Sequence, residues 1–303
     1  MSTTADSQQP ANASGGPLYP DVADVSHATA EAAEFFRSFF TAKTGKDLEA
    51  AVAHFHPDKT VYFDATLGFG SGSRADLRDG LEQYMPSWPA GAKSYPTEII
   101  GDMTSAVVFM TDTPEMFGGE IRAIAFIDLE DGKIVRWVDY WDGRGFGNID
   151  LLRSMRVPED SYPHDLGAGT VASRPGKIAD AAQELNAALA AGDADRAGEL
   201  FAYDARFEDM TLRTQIRGRA AITRYLQRAM SDLPYAQASI RHSVGTGQVG
   251  GYEWQAEGHT VPRGAAALEL DQEGKITRFT GVWDGSLLDD TAITAAAAHA
   301  LER

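Results

Sequence analysis

The chain contains no cysteine. That excludes disulfides, thiolate nucleophiles and cysteine-held metals, and it fits a reducing compartment, so a cytoplasmic location is expected. Positive charge is scarce: 27 Lys and Arg face 44 Asp and Glu, for a formal net charge of −17. No basic stripe interrupts the acidity, so nucleic acid and anionic membranes are not expected partners. No apolar run approaches the roughly 18 residues a membrane helix needs. The segment Met1–Pro20 has neither a charged start nor an apolar centre, so it does not read as a signal peptide, and residues 1–25 are expected to form a disordered tail. A phosphate loop, a dinucleotide fingerprint and a Gly-x-Ser-x-Gly elbow are all missing; Gly68-Phe69-Gly70-Ser71-Gly72 lacks the lysine that a phosphate loop requires. No His, Asp and Glu spacing matches a metal motif, and neither a metal nor a cofactor is expected.

What the chain does have is a repeat. Phe55-His56-Pro57-Asp58-Lys59-Thr60-Val61-Tyr62-Phe63-Asp64 is echoed by Phe201-Ala202-Tyr203-Asp204-Ala205-Arg206-Phe207-Glu208-Asp209. Further on, Asp131-Gly132-Lys133-Ile134-Val135-Arg136-Trp137-Val138-Asp139-Tyr140-Trp141-Asp142-Gly143 is echoed by Glu273-Gly274-Lys275-Ile276-Thr277-Arg278-Phe279-Thr280-Gly281-Val282-Trp283-Asp284-Gly285. Asp64 and Asp209 lie 145 positions apart, and Trp141 and Trp283 lie 142 apart. A period this long is the size of a small domain, not of a solenoid unit. The expected layout is a first domain over 26–146, a linker over 147–176, a second domain over 177–290 and a C-terminal helix over 291–303.

Each copy runs helices first and strands afterwards. In the first, Ala32, Phe35, Phe36, Phe39 and Phe40 recur at helical spacing, Leu48–Phe55 reads as a second helix, and Ser73 caps a third. Strands are predicted at 60–63, 96–100, 105–111, 121–129 and 134–141, with Asp131-Gly132 as a hairpin turn. The second copy predicts helices over 178–190, 195–201 and 220–230 and strands at 205–209, 238–244, 251–258, 265–270 and 276–283. Gly68–Ser73 reads as a loop. This order argues for α+β: two tandem cone-shaped domains, each a curved mixed or antiparallel sheet packed on three N-terminal helices, with the binding site at the mouth of the cone.

These residues and their order resemble the nuclear-transport-factor-two-like superfamily, and within it the SnoaL-like polyketide cyclases and limonene-epoxide-hydrolase-like proteins. The resemblance covers about residues 28–144 and 177–286. Limonene-type epoxide hydrolases use a Tyr-x-Asn pair, an Asp on the last strand, and an Arg with a second Asp on a middle strand. By that resemblance Tyr62 matches the Tyr, Asp64 stands at the Asn position and Asp139 matches the last-strand Asp. Where Arg-x-Asp would fall, the chain reads Asp112-Thr113-Pro114-Glu115. In the second copy Phe207 replaces the Tyr and Gly281 the last-strand Asp, while Asp209 remains. Tandem polyether epoxide hydrolases instead pair an Asp with a Glu on a neighbouring strand, which would be Asp64 with Glu98, and Asp209 with His242 by the same alignment. Members with one domain often pair through their sheets, so the chain is expected to be a monomer with an internal pseudo-dimer, or a homodimer.

Several residues admit two readings. Asp64 and Asp209 close a strand, where an Asp can bond the backbone of the following turn or act as a catalytic carboxylate. Asp139 and Asp142 cannot both face one cavity, because an odd spacing puts them on opposite faces; Asp142 and Asp284 can equally be terminal caps. Glu257 and His259 share one face of a predicted strand and could be an acid–base pair or a surface pair. Tyr84, Trp88, Tyr95, Phe117, Trp141 and Trp283 could line an apolar cavity or belong to ordinary core. The expected function is a cofactor-independent acid–base enzyme of the cyclase, isomerase or dehydratase type, acting on a hydrophobic small molecule such as a polyketide or terpenoid intermediate. Its candidate catalytic residues are Asp64, Tyr62, Glu98, Asp139, Asp209, His242 and Glu257. Epoxide opening, or binding without catalysis, are the alternatives.

Overall fold

The computed structural model describes residues 23–301; most of the expected tail lies outside these residues. In the first half, α1 (Ala30–Thr44) and α2 (Leu48–Val52) precede β1 (Val61–Asp64), β2 (Phe69–Ser71) and α3 (Arg74–Tyr84). Then come β3 (Ser94–Gly101), β4 (Ser105–Asp112), the short α4 (Pro114–Phe117), β5 (Ile121–Glu130) and β6 (Lys133–Trp141). A short helix, α5 (Ile149–Met155), lies in the expected linker. The second half repeats the order as α6 (Lys177–Ala190), α7 (Ala194–Glu199), β7 (Phe201–Asp209), β8 (Thr214–Arg217), α8 (Arg219–Ala229), β9 (Ser239–Thr246), β10 (Val249–Gln255), β11 (Arg263–Leu270) and β12 (Ile276–Trp283). The last described helix is α9 (Asp290–Ala298).

The sheets are ordered β2-β1-β6-β5-β4-β3 and β8-β7-β12-β11-β10-β9, the same topology twice. All neighbours are antiparallel except β1 with β6 and β7 with β12. Helices and sheet thus make two tandem cone-shaped domains of the α+β class. Side chains at the helix starts fix where the chain turns: Thr29, Asp47 and Ser73 each accept a first-turn N–H, as do Asp193 and Asp289.

Strand alternation sends each sheet's residues to two destinations. On β6, Trp137 and Trp141 face the helices, and the Trp137 ring packs 5.0 Å from Phe39 of α1. Val138 and Tyr140 point the other way and join Phe109, Ile124 and Phe126 in a third core, shared with Val244, Ala265, Ala267 and Val282 of the second half. The two sheets therefore pack outer face to outer face. Gly251 makes close approach possible: a Cβ there would sit 2.7 Å from the Phe126 ring.

This seam also buries charge. Arg136 binds Glu253 through two bonds of 2.6 and 2.8 Å, and Glu253 also accepts from Tyr140 at 2.8 Å; both charged side chains are fully buried. The linker is not a loose tether. Arg136 donates to Leu166 O at 3.1 Å, Tyr162 donates to Ala65 O at 2.6 Å, and Leu166 is fully buried. Two strands were illegible as such. β2 falls inside the Gly68–Ser73 loop expectation, and both β2 and β8 are short edge strands whose identity comes from pairing with β1 and β7.

Candidate functional site

The parallel pairing of β1 with β6 sets Tyr62 beside Trp137 and Asp64 beside Asp139. All four share the helix-facing side of the first sheet. Tyr62 OH donates to Asp139 Oδ2 at 2.8 Å, and Trp137 Nε1 donates to Asp139 Oδ1 at 2.5 Å. Burial pushes the Asp139 carboxyl up to about 7; Lys43 opposes the shift and Asp64 adds to it. Burial likewise pushes the Tyr62 phenol well above its ordinary range. Lys43 reaches the same space from α1 and lies 3.4 Å from Asp112 at the end of β4.

Asp64 is held differently. Its Oδ1 accepts the backbone N–H groups of Thr66 and Leu67, both at 2.9 Å, and its Oδ2 accepts from Trp141 Nε1 at 3.0 Å. Burial raises this carboxyl to about 6 against those three donors. The second copy reproduces the arrangement: Asp209 accepts from Leu212 N at 2.8 Å and Trp283 Nε1 at 3.1 Å, and it is raised by burial to about 6. Thr66 and Thr211 each clamp the backbone of the partner Trp. The repeated signal is Asp-x-Thr-Leu with a distant Trp, a turn-and-strand clasp that serves both copies.

The remaining polar groups of the first cone have no counterparts in the second. Register places Phe207 where Tyr62 stands and Gly281 where Asp139 stands. Counting back four residues from the helix caps Asp47 and Asp193 aligns Lys43 with Leu189. Pairing with β5 and β11 aligns Asp112 with Ala256. The space is filled instead by rings: Phe207 stacks on Phe279 at 4.5 Å and 7°, with Tyr235 5.7 Å from Phe279. A Cβ on Gly281 would lie 3.1 Å from the Phe279 ring.

Of the other expected residues, Trp141 and Trp283 join the two clasps and the rest join neither centre. Glu98 faces the seam, where Arg278 binds it at 2.7 Å, so it does not partner Asp64. His242 is also in the seam, 2.8 Å from Asp128 Oδ2. Glu257 and His259 are not on a strand: β10 stops at Gln255, and the chain turns through Gly258 at φ +75°. Tyr84 is half exposed and Trp88 lies outside the core clusters, whereas Phe117 and Trp141 both pack on Phe146 at the first cone's rim. Tyr95 is partly buried on β3. Trp283 belongs to the second clasp. Lys43 is the residue that sequence reading missed; a lysine four residues ahead of a helix cap looks like any solvent-facing residue until the sheet curls under it.

Among the described residues, no group of three or more His, Asp or Glu side chains converges in a way that could hold a metal ion. None of the described helices is long and apolar enough to cross a membrane.

Residues 182–279 match the family model of the SnoaL-like domain, so the second half carries a SnoaL-like domain. No curated protein matches the chain. Solved structures with a similar fold include a Kribbella flavida protein provisionally named ketosteroid isomerase, 21% identical over 37% of this chain and 78% of that one, with a TM-score of 0.32. Another is an epoxide hydrolase of the limonene-epoxide-hydrolase-like type from M. tuberculosis, 22% identical over 39% of this chain and 87% of that one, at 0.33. A third is an NTF2-like protein of unknown function from Cytophaga hutchinsonii, 15% identical over 37% and 91%, at 0.32.

Proposed function

We propose that the first domain is a cofactor-independent acid–base enzyme acting on a hydrophobic small molecule, and that the second domain is its structural partner within a monomeric pseudo-dimer. One observation carries the reading. Asp139, raised to about 7 by burial, is bonded to Tyr62 among the apolar residues of the first core, with Asp64 and Lys43 the charged groups acting on it. A carboxyl with this affinity can take a proton and return it near neutral pH.

In this reading Asp139 is the base. Tyr62 bonds the reacting oxygen or holds Asp139 in place, and Lys43 balances the negative charge as it moves. Asp64 is a positioning residue: its oxygens are already committed to the Thr66–Leu67 turn and Trp141. The chemistry is proton transfer next to a carbonyl, which underlies cyclisation, isomerisation and dehydration of polyketide-like substrates. The direct test is solvent-deuterium exchange into hydrophobic unsaturated ketones and 1,3-dicarbonyls, followed by NMR. Exchange by the native chain that is lost in Asp139→Asn and kept in Asp209→Asn supports the reading. Exchange that survives Asp139→Asn overturns it, and tight binding of the probes without any exchange assigns the cone to binding alone.

A second reading has its own observation. Asp112 and Lys43 add a second carboxylate and a cation beside Asp139, which is what epoxide opening by an activated water would use. Incorporation of ¹⁸O from solvent into a diol product separates the two.

A further inference from the structure

The outer-face packing creates two clefts related by the internal pseudo-symmetry, one at each end of the seam. The first, about 340 Å³, is lined by Ala65, Tyr140, Arg263 and Asp284. The second, about 630 Å³, is lined by their counterparts Met210, Val282, Arg122 and Asp142. The correspondence follows from strand register: Ala123 faces Trp141 as Gly264 faces Trp283, so Arg122 and Arg263 occupy the same position.

In the first cleft the chain itself covers the arginine, because Tyr162 and Glu159 are part of the lining. Tyr162 of the linker lies under Arg263, with the guanidinium carbon 3.4 Å from the ring centre, and Glu159 binds Arg263 at 2.6 Å. An aromatic face and a carboxylate together satisfy the arginine, whose side chain is only 11% exposed. In the second cleft no described segment does this, and Arg122 is 70% exposed. Among the described residues its partner is Glu120, a neighbour on the same stretch of chain, at 2.7 Å. Phe109, with the Arg278 guanidinium carbon 5.4 Å from its ring centre, and the partly buried Met210 supply the floor. At the lip, Arg213 holds the left-handed φ of +55° that Gly68 holds at +81° in the first copy. That costs an L-residue about 1 kcal/mol and brings a second guanidinium to the opening.

We propose that this open cleft binds an aromatic group carrying a carboxylate, the chemistry with which Tyr162 and Glu159 cover Arg263 in the sister cleft. The ring lies between the Arg122 guanidinium and the Phe109–Met210 floor, and the carboxylate displaces Glu120 from Arg122. The site is separate from the first cone and does not depend on its chemistry.

The test is calorimetric titration of the full chain with 4-hydroxyphenylacetate, with p-cresol and acetate as probes lacking one half of the pharmacophore, alongside spectra of ¹³C-methyl methionine. Saturable binding of 4-hydroxyphenylacetate alone is expected, with movement of the Met210 methyl. Arg122→Ala should weaken it at least tenfold, and Glu120→Gln should strengthen it a few-fold; both positions are exposed, so an unchanged melting temperature is the control. Equal binding of p-cresol, insensitivity to Arg122→Ala, or movement of Met110 in the first cone without Met210 would overturn the proposal.

Discussion

Asp142 and Asp284 cap each other's copies. Asp284 Oδ1 accepts the Gly143 N–H at 3.1 Å, and Asp142 Oδ1 accepts the Gly285 N–H at 3.2 Å. Each also caps its own turn, through Arg144 N and Ser286 N. An arginine completes each side, Arg144 on Asp142 and Arg156 on Asp284, and each arginine also reaches the carbonyl of Thr211 or Thr66. The Trp-Asp-Gly ending common to both repeats is thus the joint of the pseudo-dimer.

Removing one half of that joint should cost more than a surface change. Asp284→Ala leaves the Gly143 N–H without its acceptor and the Arg156 guanidinium without its counter-charge in a nearly buried place, an expected loss of about 2–4 kcal/mol. Urea unfolding measures it. A change within about 0.5 kcal/mol, the range of ordinary surface substitutions, would show that the joint is redundant.

Asp139 makes a pH-dependent prediction. Its folded-state affinity for protons is raised from 3.8 to about 7, so the folded state holds a proton that the unfolded state has released across that interval. The contribution of Asp139 to stability is therefore full below pH 4 and is lost as pH rises through 7. Asparagine imitates the neutral acid. Asp139→Asn should match the native chain near pH 4 and exceed it by on the order of 4 kcal/mol at pH 8. Equal stability of the two proteins at both pH values would show that Asp139 is ionised throughout.

Most of the fold could be read from the sequence because the repeat, the apolar periodicity and the Asp-Gly turn all act locally. Seven of the nine described α-helices and ten of the twelve strands fall within a few residues of their expected places, α4 and the linker helix α5 being the unexpected ones, and Tyr62 and Asp139 could be placed together because strand pairing follows from the family's topology. The seam could not be read. Glu98 and His242 look like cone residues on a strand, yet each faces the opposite sheet, Glu98 meeting Arg278 of the second and His242 meeting Asp128 of the first, more than a hundred positions away. A single strand does not declare which of its two faces is the inner one when both are covered. Glu257 and His259 failed for a local reason: Gly258 turns the chain just beyond the strand.

The second cone should resist being made into an active site. Gly281→Asp restores the residue type of Asp139, but its carboxylate would enter a space closed by Phe279 and Tyr235 with no Lys43 equivalent. We expect a loss of about 3–5 kcal/mol or failure to fold, and no gain of exchange activity even alongside Phe207→Tyr. Soluble, active second-domain variants in an Asp139→Asn background would contradict the assignment of roles.

The buried Arg136–Glu253 pair predicts a weakness toward acid. Burial alone would raise the Glu253 carboxyl, but Arg136 overrides it and holds the group at about 2. With a folded value below the unfolded one, its contribution is complete above pH 4.5 and is lost as pH falls toward 2. Glu253→Gln should cost about 3 kcal/mol at pH 7, because it leaves the buried Arg136 guanidinium with only Asp128, 3.9 Å away, as a counter-charge, and should flatten the acid limb of the stability profile. An unaltered limb would place the acid sensitivity elsewhere.

Lys43 offers the sharpest test of the site, because it should change the pH dependence without touching substrate chemistry directly. Its ammonium lowers the proton affinity of Asp139 and is itself paired with Asp112. If Asp139 works as a base, activity requires its ionised form, so the acid limb of the kcat/KM profile reports its titration. Lys43→Met removes the opposing charge, and the limb should move up by on the order of one pH unit. Lys43→Arg should return it close to the native position. Asp112→Asn should move it the other way, since the ammonium then answers to Asp139 alone. A merely structural lysine would lower activity at every pH and leave the limb where it was.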